Sequence, residues 1–239
     1  MAAFRPRISA VLFDVGGTLV REPDVDAWVE RARFLNLRVD PEGLVRAYVE
    51  TLSAVDKVGT IRNTETLSVE FWRRVISRTL EKDVSEITAT KFVAALGEKS
   101  VPVRLYADAQ GCLDQLHDDR RPLGVISNSD SADIVRLVLR WAGILAYFDC
   151  IVSSGTEGVE KPDPEIFLRA VQRMGIPPGE ALYVGNKALT DAVAARSAGL
   201  YGVWVNREEP THSKDPPEIS SLLEVPVCVR RVEQGLPIV

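Results

Sequence analysis

Apolar residues in this chain follow two rhythms, short β-branched runs and longer stretches at helical spacing, and the two alternate. Ile8, Val11, Leu12 and Phe13 predict a buried strand closed by Asp14 and the Gly16-Gly17 pair. A second strand spans Pro122 to Ile126 and runs into Ser127-Asn128-Ser129-Asp130. A helix follows, with Ile134, Leu137, Val138 and Trp141 on one side. Phe148 to Val152 predict a third strand, followed by a glycine-bearing loop and Lys161-Pro162-Asp163-Pro164, where Pro164 opens a helix through Met174. Ala181 to Val184 form a fourth strand leading into Gly185-Asn186; Asp191 opens a helix ending at Gly199, and Tyr201 to Val205 give a fifth strand. The tail from Glu218 to Val239 predicts an edge strand and a last helix.

Between the first two strands the rhythm is helical throughout. Trp28, Arg31 and Leu35 share a helix face, and Asp40-Pro41 starts a second helix with Leu44, Val45, Tyr48, Val49 and Leu52. Leu67, Phe71, Trp72, Val75 and Ile76 mark a third, and Phe92, Val93 and Leu96 before Gly97 a fourth. Strands alternating with helices indicate an α/β unit, residues 1–20 and 104–239, carrying an inserted all-helical domain over residues 21–103.

The chemistry-bearing residues cluster at strand ends. Asp14 stands at the carboxyl end of the first strand, the edge where open α/β sheets bind ligands, and the two glycines allow a tight turn whose amides can face an anion. The same residues also suit an Asp that merely caps a strand-to-helix turn. Hydroxyl and amide donors at Ser127 and Asn128, a cation at Lys161 and an acid at Asp191 then follow, each at the end of a later strand.

This ordered set resembles the haloacid dehalogenase (HAD) superfamily over roughly residues 8 to 206. The family's four motifs are a nucleophilic Asp with a second Asp two positions on, a Ser or Thr, a Lys, and an acidic pair; Asp14, Ser127, Lys161 and Asp191 match them. Gly16 replaces the second Asp, and Asn186 replaces the first acid of the fourth motif. The resemblance implies a doubly wound, Rossmann-like parallel sheet with a helical cap. It also implies a phosphatase acting on a small phosphorylated metabolite through an aspartyl-phosphate intermediate. Asp14 and Lys161 are then catalytic; Thr18, Ser127, Asn128 and Lys161 bind substrate; Asp14, the carbonyl of Gly16, Asn186 and Asp191 bind Mg2+ in a weakened site. In family phosphatases the second Asp protonates the leaving alcohol and activates water, which Gly16 cannot do, so general acid/base catalysis is impaired.

Two alternatives stay open. The dehalogenase branch lacks the second Asp, carries an Asn in its fourth motif and works without metal, but has an aromatic residue two places after the nucleophile and a shorter spacing than Asn186 to Asp191. Its cap arginine has candidates in Arg31, Arg33 and Arg46. A silent HAD fold that binds a metabolite or protein is the other.

Composition narrows the picture further. With 29 basic and 34 acidic residues, net charge −5, there is no nucleic-acid footprint. No apolar run reaches membrane-spanning length, and the start MAAFRPRISAVLF has too short an apolar run for a signal peptide. Cys112, Cys150 and Cys228 lack metal-ligand spacing and suit reduced thiols in the cytoplasm. His117 and Lys187 suit the surface, and Asp24 and Asp26 suit helix capping. His212, in the polar loop from Arg207 to Pro217, suits solvent or, as an outside candidate, the missing acid. The pattern names neither a substrate nor an oligomeric state.

Overall fold

The computed structural model describes residues 6–56, 64–208 and 211–239. Six parallel strands, β1 (Ala10–Phe13), β2 (Leu123–Ser127), β3 (Cys150–Ser153), β4 (Ala181–Gly185), β5 (Tyr201–Val205) and β6 (Glu218–Ile219), form one sheet in the order β3-β2-β1-β4-β5-β6. Val11 lies opposite Leu123 on one side and Leu182 on the other. Parallel pairing puts all carboxyl ends on one edge. The strand order reverses direction between β1 and β4, and an open α/β sheet has its ligand crevice outside the strand ends at such a reversal. Asp14 directly follows β1 and Asp191 lies six residues beyond β4, so the fold alone brings both acids to that crevice.

Strands β1 and β4 are buried along their whole length, as expected of a parallel sheet covered on both faces. Leu12, Ile126, Val152 and Tyr183 pack with Ile166, Phe167, Ala170 and Val171 of a flanking helix. Among the boundaries that differ from the sequence expectation, two have a local cause or an altered helix type. The third strand starts at Cys150, because the preceding Leu145–Tyr147 is a 3-10 turn and Asp149 accepts the Leu123 N–H with its carboxylate, at 3.0 Å. The helix after β4 opens not at Asp191 but at Ala188, as a π segment running to Val193.

The chain separates into two compact units, Met1–Arg21 with Leu105–Val239, and Glu22–Arg104. The second holds helices α1 (Val25–Phe34), α2 (Pro41–Asp56), α3 (Thr64–Leu80) and α4 (Glu86–Leu96). Its core is aromatic: Trp72 meets Trp28 edge-on at 4.8 Å between ring centroids and Phe92 at 5.2 Å, and its indole N–H donates to the Ser100 carbonyl. Phe71, Val75 and Ile76 are buried as the helical spacing requires; the side chain of Leu67 lies outside the described residues. Asp24 caps α1 through the Ala27 N–H, and Arg31, Arg33 and Arg46 are exposed. In the first unit α5 (Ala109–Asp118), α6 (Ala132–Trp141), α7 (Ser154–Glu157), α8 (Pro164–Met174), α9 (Ala194–Ser197) and α10 (Val225–Glu233) complete the set. Among the described residues no helix is long and apolar enough to cross a membrane. The three cysteines are free and buried.

Candidate active site

The Asp14 backbone N–H continues the ladder to Val184, at 2.9 Å, which fixes the residue at the sheet edge. The chain then turns sharply. Gly17, at φ 77°, supplies the left-handed residue the turn needs, while Gly16 does not take a positive φ. Glycine at position 16 is therefore not demanded by backbone conformation. The turn returns Thr18 to the nucleophile, and its hydroxyl donates to Asp14 Oδ2 at 3.0 Å. Thr18, a candidate substrate contact by sequence, is fully buried, its hydroxyl engaged with the Asp14 carboxylate.

Lys161 occupies the centre of the site, 5 % exposed, after a cis Lys161–Pro162 peptide. Its ammonium donates to Asp14 Oδ1 at 2.7 Å, to Asp191 Oδ1 at 2.7 Å and to the Tyr183 hydroxyl at 2.9 Å. An ammonium has three N–H groups, so all are engaged within the protein. In this arrangement Lys161 balances the carboxylates and leaves no donor for a substrate. Burial pushes the Lys161 pKa down, but attraction to Asp14 and Asp191 outweighs it, and the group titrates above its ordinary value. Burial raises the Asp14 pKa above the usual carboxylate range, opposed by the adjacent Lys161 and reinforced by Asp191. One ammonium between two carboxylates leaves the cluster one negative charge.

Two helpers were not legible as site residues. Tyr183 lies inside the apolar run of β4, where aromatic residues ordinarily mean core. Its ring meets Phe167 edge-on, while its hydroxyl also lies 3.2 Å from Asp191 Oδ1, and burial raises its pKa well above the normal phenol value. Arg207, a lone arginine in a polar loop, donates to the carbonyls of Gly17 and Thr18.

Asn128, a candidate substrate contact by sequence, clamps the Lys161 backbone with its side chain, accepting from its N–H and donating to its carbonyl, both at 2.9 Å. Helix α6 starts at Ala132, whose N–H is taken by the Thr156 hydroxyl, while Ser131 caps Ile134 N. Ser127 is half-buried and is the last residue of β2, at the carboxyl edge of the sheet.

Asp191 is held from both sides: Oδ2 accepts the Lys187 N–H at 2.9 Å, and a Cβ on Gly185 would lie 2.3 Å from its Cγ. Only glycine fits there. Asn186 is fixed by its carbonyl, which accepts from the Trp204 indole, and its amide lies over the nucleophile turn, where a Cβ on Gly17 would come within 2.2 Å of Nδ2. By the chemistry of their oxygens, Asp14, Asp191, the Asn186 side chain and the Gly16 carbonyl could contribute to a Mg2+ shell, with two carboxylates among them. Among the described residues no group of three His, Cys, Asp or Glu side chains is placed to hold an ion. His117 is exposed on α5, edge-on to Tyr147; His212 is exposed at φ 56°, and the Lys187 side chain is exposed. Glu209 and Pro210 of that loop lie outside the described residues.

The sequence profile of haloacid dehalogenase-like hydrolases matches residues 8–199. The chain is 39 % identical over 107 residues to haloacid dehalogenase-like hydrolase domain-containing protein 3 of Danio rerio, a match covering 43 % of each chain. It is 29 % identical over 223 residues to glyceraldehyde 3-phosphate phosphatase of Methanopyrus kandleri, covering 88 % of this chain and 91 % of that one. A crystal structure described as a HAD phosphatase from Thermococcus onnurineus superposes with a TM-score of 0.55 at 24 % identity, over 96 % of this chain and 99 % of the other, a likeness of fold.

Proposed function

The chain belongs to the haloacid dehalogenase-like hydrolases, and from that premise we propose that it hydrolyses small phosphate monoesters by nucleophilic attack of Asp14. The observation that carries this is the Asp14–Lys161–Asp191 cluster, a carboxylate held at the ligand edge by Thr18 on one oxygen and Lys161 on the other. The named phosphatase relative, matched along nearly its whole length, supports a small phosphorylated substrate.

Asp14 attacks phosphorus, a carboxylate oxygen–phosphorus bond forms, and the ester oxygen departs with its electron pair. Water then cleaves the acyl phosphate and returns Asp14 as the carboxylate. Lys161 keeps two acids from repelling each other and the incoming phosphate, and Ser127 supplies a hydroxyl to the phosphate oxygens. Gly16 offers no proton to the departing oxygen, so leaving groups that depart as stable anions react best. Phosphatases of this family generally use Mg2+; here Asp14, the Gly16 carbonyl, Asn186 and Asp191 would hold it. When bound, the ion supplies charge neutralisation to the phosphate oxygens.

A second reading, metal-independent attack of Asp14 on carbon, is favoured by the neutral Asn186 amide that lies over the Gly17 turn where a carboxylate would add charge for a cation. Turnover of aryl phosphates and of 2-haloacids, each with Mg2+ and with chelator, separates the two. Mg2+-stimulated phosphate release that disappears in Asp14→Asn supports the phosphatase. Chelator-resistant halide release supports the alternative.

A further inference from the structure

We propose that Arg207 is a positioning residue for the nucleophile: its guanidinium holds the Gly17-Thr18 turn in the one orientation that delivers the Thr18 hydroxyl to Asp14. This inference rests on the hydrolase reading of the site for its kinetic readout, and on the structure alone for its geometry.

Arg207 leaves β5 one residue beyond Asn206, whose backbone N–H is paired to Ile219 of β6, so its base is anchored in the sheet. Its Nε donates to the Gly17 carbonyl at 3.2 Å and its Nη2 to the Thr18 carbonyl at 2.6 Å. On the other side Nη1 and Nη2 each reach one oxygen of Asp108 at 3.1 Å. The guanidinium also lies over the Tyr106 ring, 3.6 Å from its centroid. Asp108 is itself fixed, accepting from the Leu222 N–H at 2.9 Å and the Ser221 hydroxyl at 3.0 Å. Burial pushes the Asp108 carboxyl up, but Arg207 and these donors outweigh it and hold it below the ordinary carboxylate range.

A planar fork suits this place where an ammonium does not. Two adjacent carbonyls, a carboxylate opposite them and an aromatic face together specify the plane of the side chain, and Lys provides a point charge without that plane. The consequence runs through three bonds: Arg207 to the Thr18 carbonyl, the Thr18 hydroxyl to Asp14 Oδ2, and Lys161 to Asp14 Oδ1. Releasing the first lets the second drift. Misplacing a reacting group by about 1 Å costs on the order of 10²-fold in rate.

The test measures kcat and KM with p-nitrophenyl phosphate for the wild type, Arg207→Lys, Thr18→Val and the double variant, with thermal melting of each. Positioning predicts a roughly 10- to 100-fold loss of kcat in Arg207→Lys, so no rescue by the conservative change, with KM little altered. The double variant loses no more than the worse single one, because both changes break the same chain of contacts. Losses that multiply, or kcat per folded molecule equal to wild type, overturn the proposal. If Arg207→Lys does not fold, Asp108→Asn takes its place, with the same non-additivity toward Thr18→Val expected and the same multiplicative result fatal. Should the wild type show no Asp14-dependent turnover, the hydrolase reading fails separately. NMR then decides the geometry: the Thr18 methyl and amide resonances shift in Arg207→Lys if Arg207 sets the turn, and unchanged resonances overturn the proposal.

Discussion

The two flanks of Asp14 are built differently. On the Lys161 side each polar atom has a partner: the ammonium meets two carboxylates and a phenol, Asp191 accepts a backbone N–H, and Asn128 clamps the lysine backbone. On the Gly16 side a glycine and the amide of Asn186 stand where the family resemblance leads one to expect carboxylates, and the turn has no conformational need of the glycine. The difference separates two tasks that active sites usually combine. The two carboxylates are balanced by one ammonium, whereas positions 16 and 186 supply no carboxylate, and the proposed mechanism therefore lacks a proton donor for the leaving group there.

Lys161→Met tests the complete flank hardest. It leaves two buried carboxylates facing each other, and breaking a buried pair by removing one partner costs about 3–5 kcal/mol. Urea unfolding should show that loss; a change under about 1 kcal/mol would mean that water or rearrangement already screens the cluster. Gly16→Asp tests the deficient flank by restoring a proton donor. Turnover of alkyl phosphates should rise by roughly 10²-fold, and of p-nitrophenyl phosphate far less, since a positioned acid contributes about 10²–10⁴-fold where the leaving group needs a proton. Equal gains on both substrates would place the deficiency elsewhere. Asn186→Asp adds the other absent carboxylate, and Mg2+ affinity measured by calorimetry should tighten by about tenfold or more. No change would exclude Asn186 from the metal shell.

The smallest effect lies behind the site, in the loop that follows Arg207. Glu218 accepts from Asn206, from the Thr211 amide and hydroxyl and from the Ser213 amide. Partial burial opposes its ionisation, but these donors outweigh it and lower its pKa from 4.5 to about 2. A carboxylate depressed in the folded state stabilises fully above its unfolded pKa and loses that contribution as pH falls through the folded value. Melting temperatures should therefore fall between pH 4.5 and about 2 more steeply in the wild type than in Glu218→Gln. Parallel profiles would show that the loop does not depend on this charge.

How much of this was legible in the sequence depends on where each residue stands. The alternation of strands and helices was readable because glycine and proline break each run at its end. Asp14, Lys161 and Asp191 stood out for the same reason, as charged residues beyond apolar runs, and both carboxylates lie 2.7 Å from the Lys161 ammonium. Residues whose role depends on side-chain direction were not readable. Thr18 and Asn128 looked like donors for a ligand and turn inward to Asp14 and the Lys161 backbone. Tyr183 looked like core because its ring is core; only its hydroxyl reaches the site. Arg207 gave no periodic signal, since its partners come from positions 17, 18 and 108.

The central claim is covalent attack by Asp14, and the direct measurement is acid quenching of the protein during turnover of p-nitrophenyl phosphate, followed by peptide mapping by mass spectrometry. The account predicts a phosphoryl group on the peptide containing Asp14, and neither label nor turnover in Asp14→Asn. Turnover that persists undiminished in Asp14→Asn, or a label carried by another residue, would contradict it.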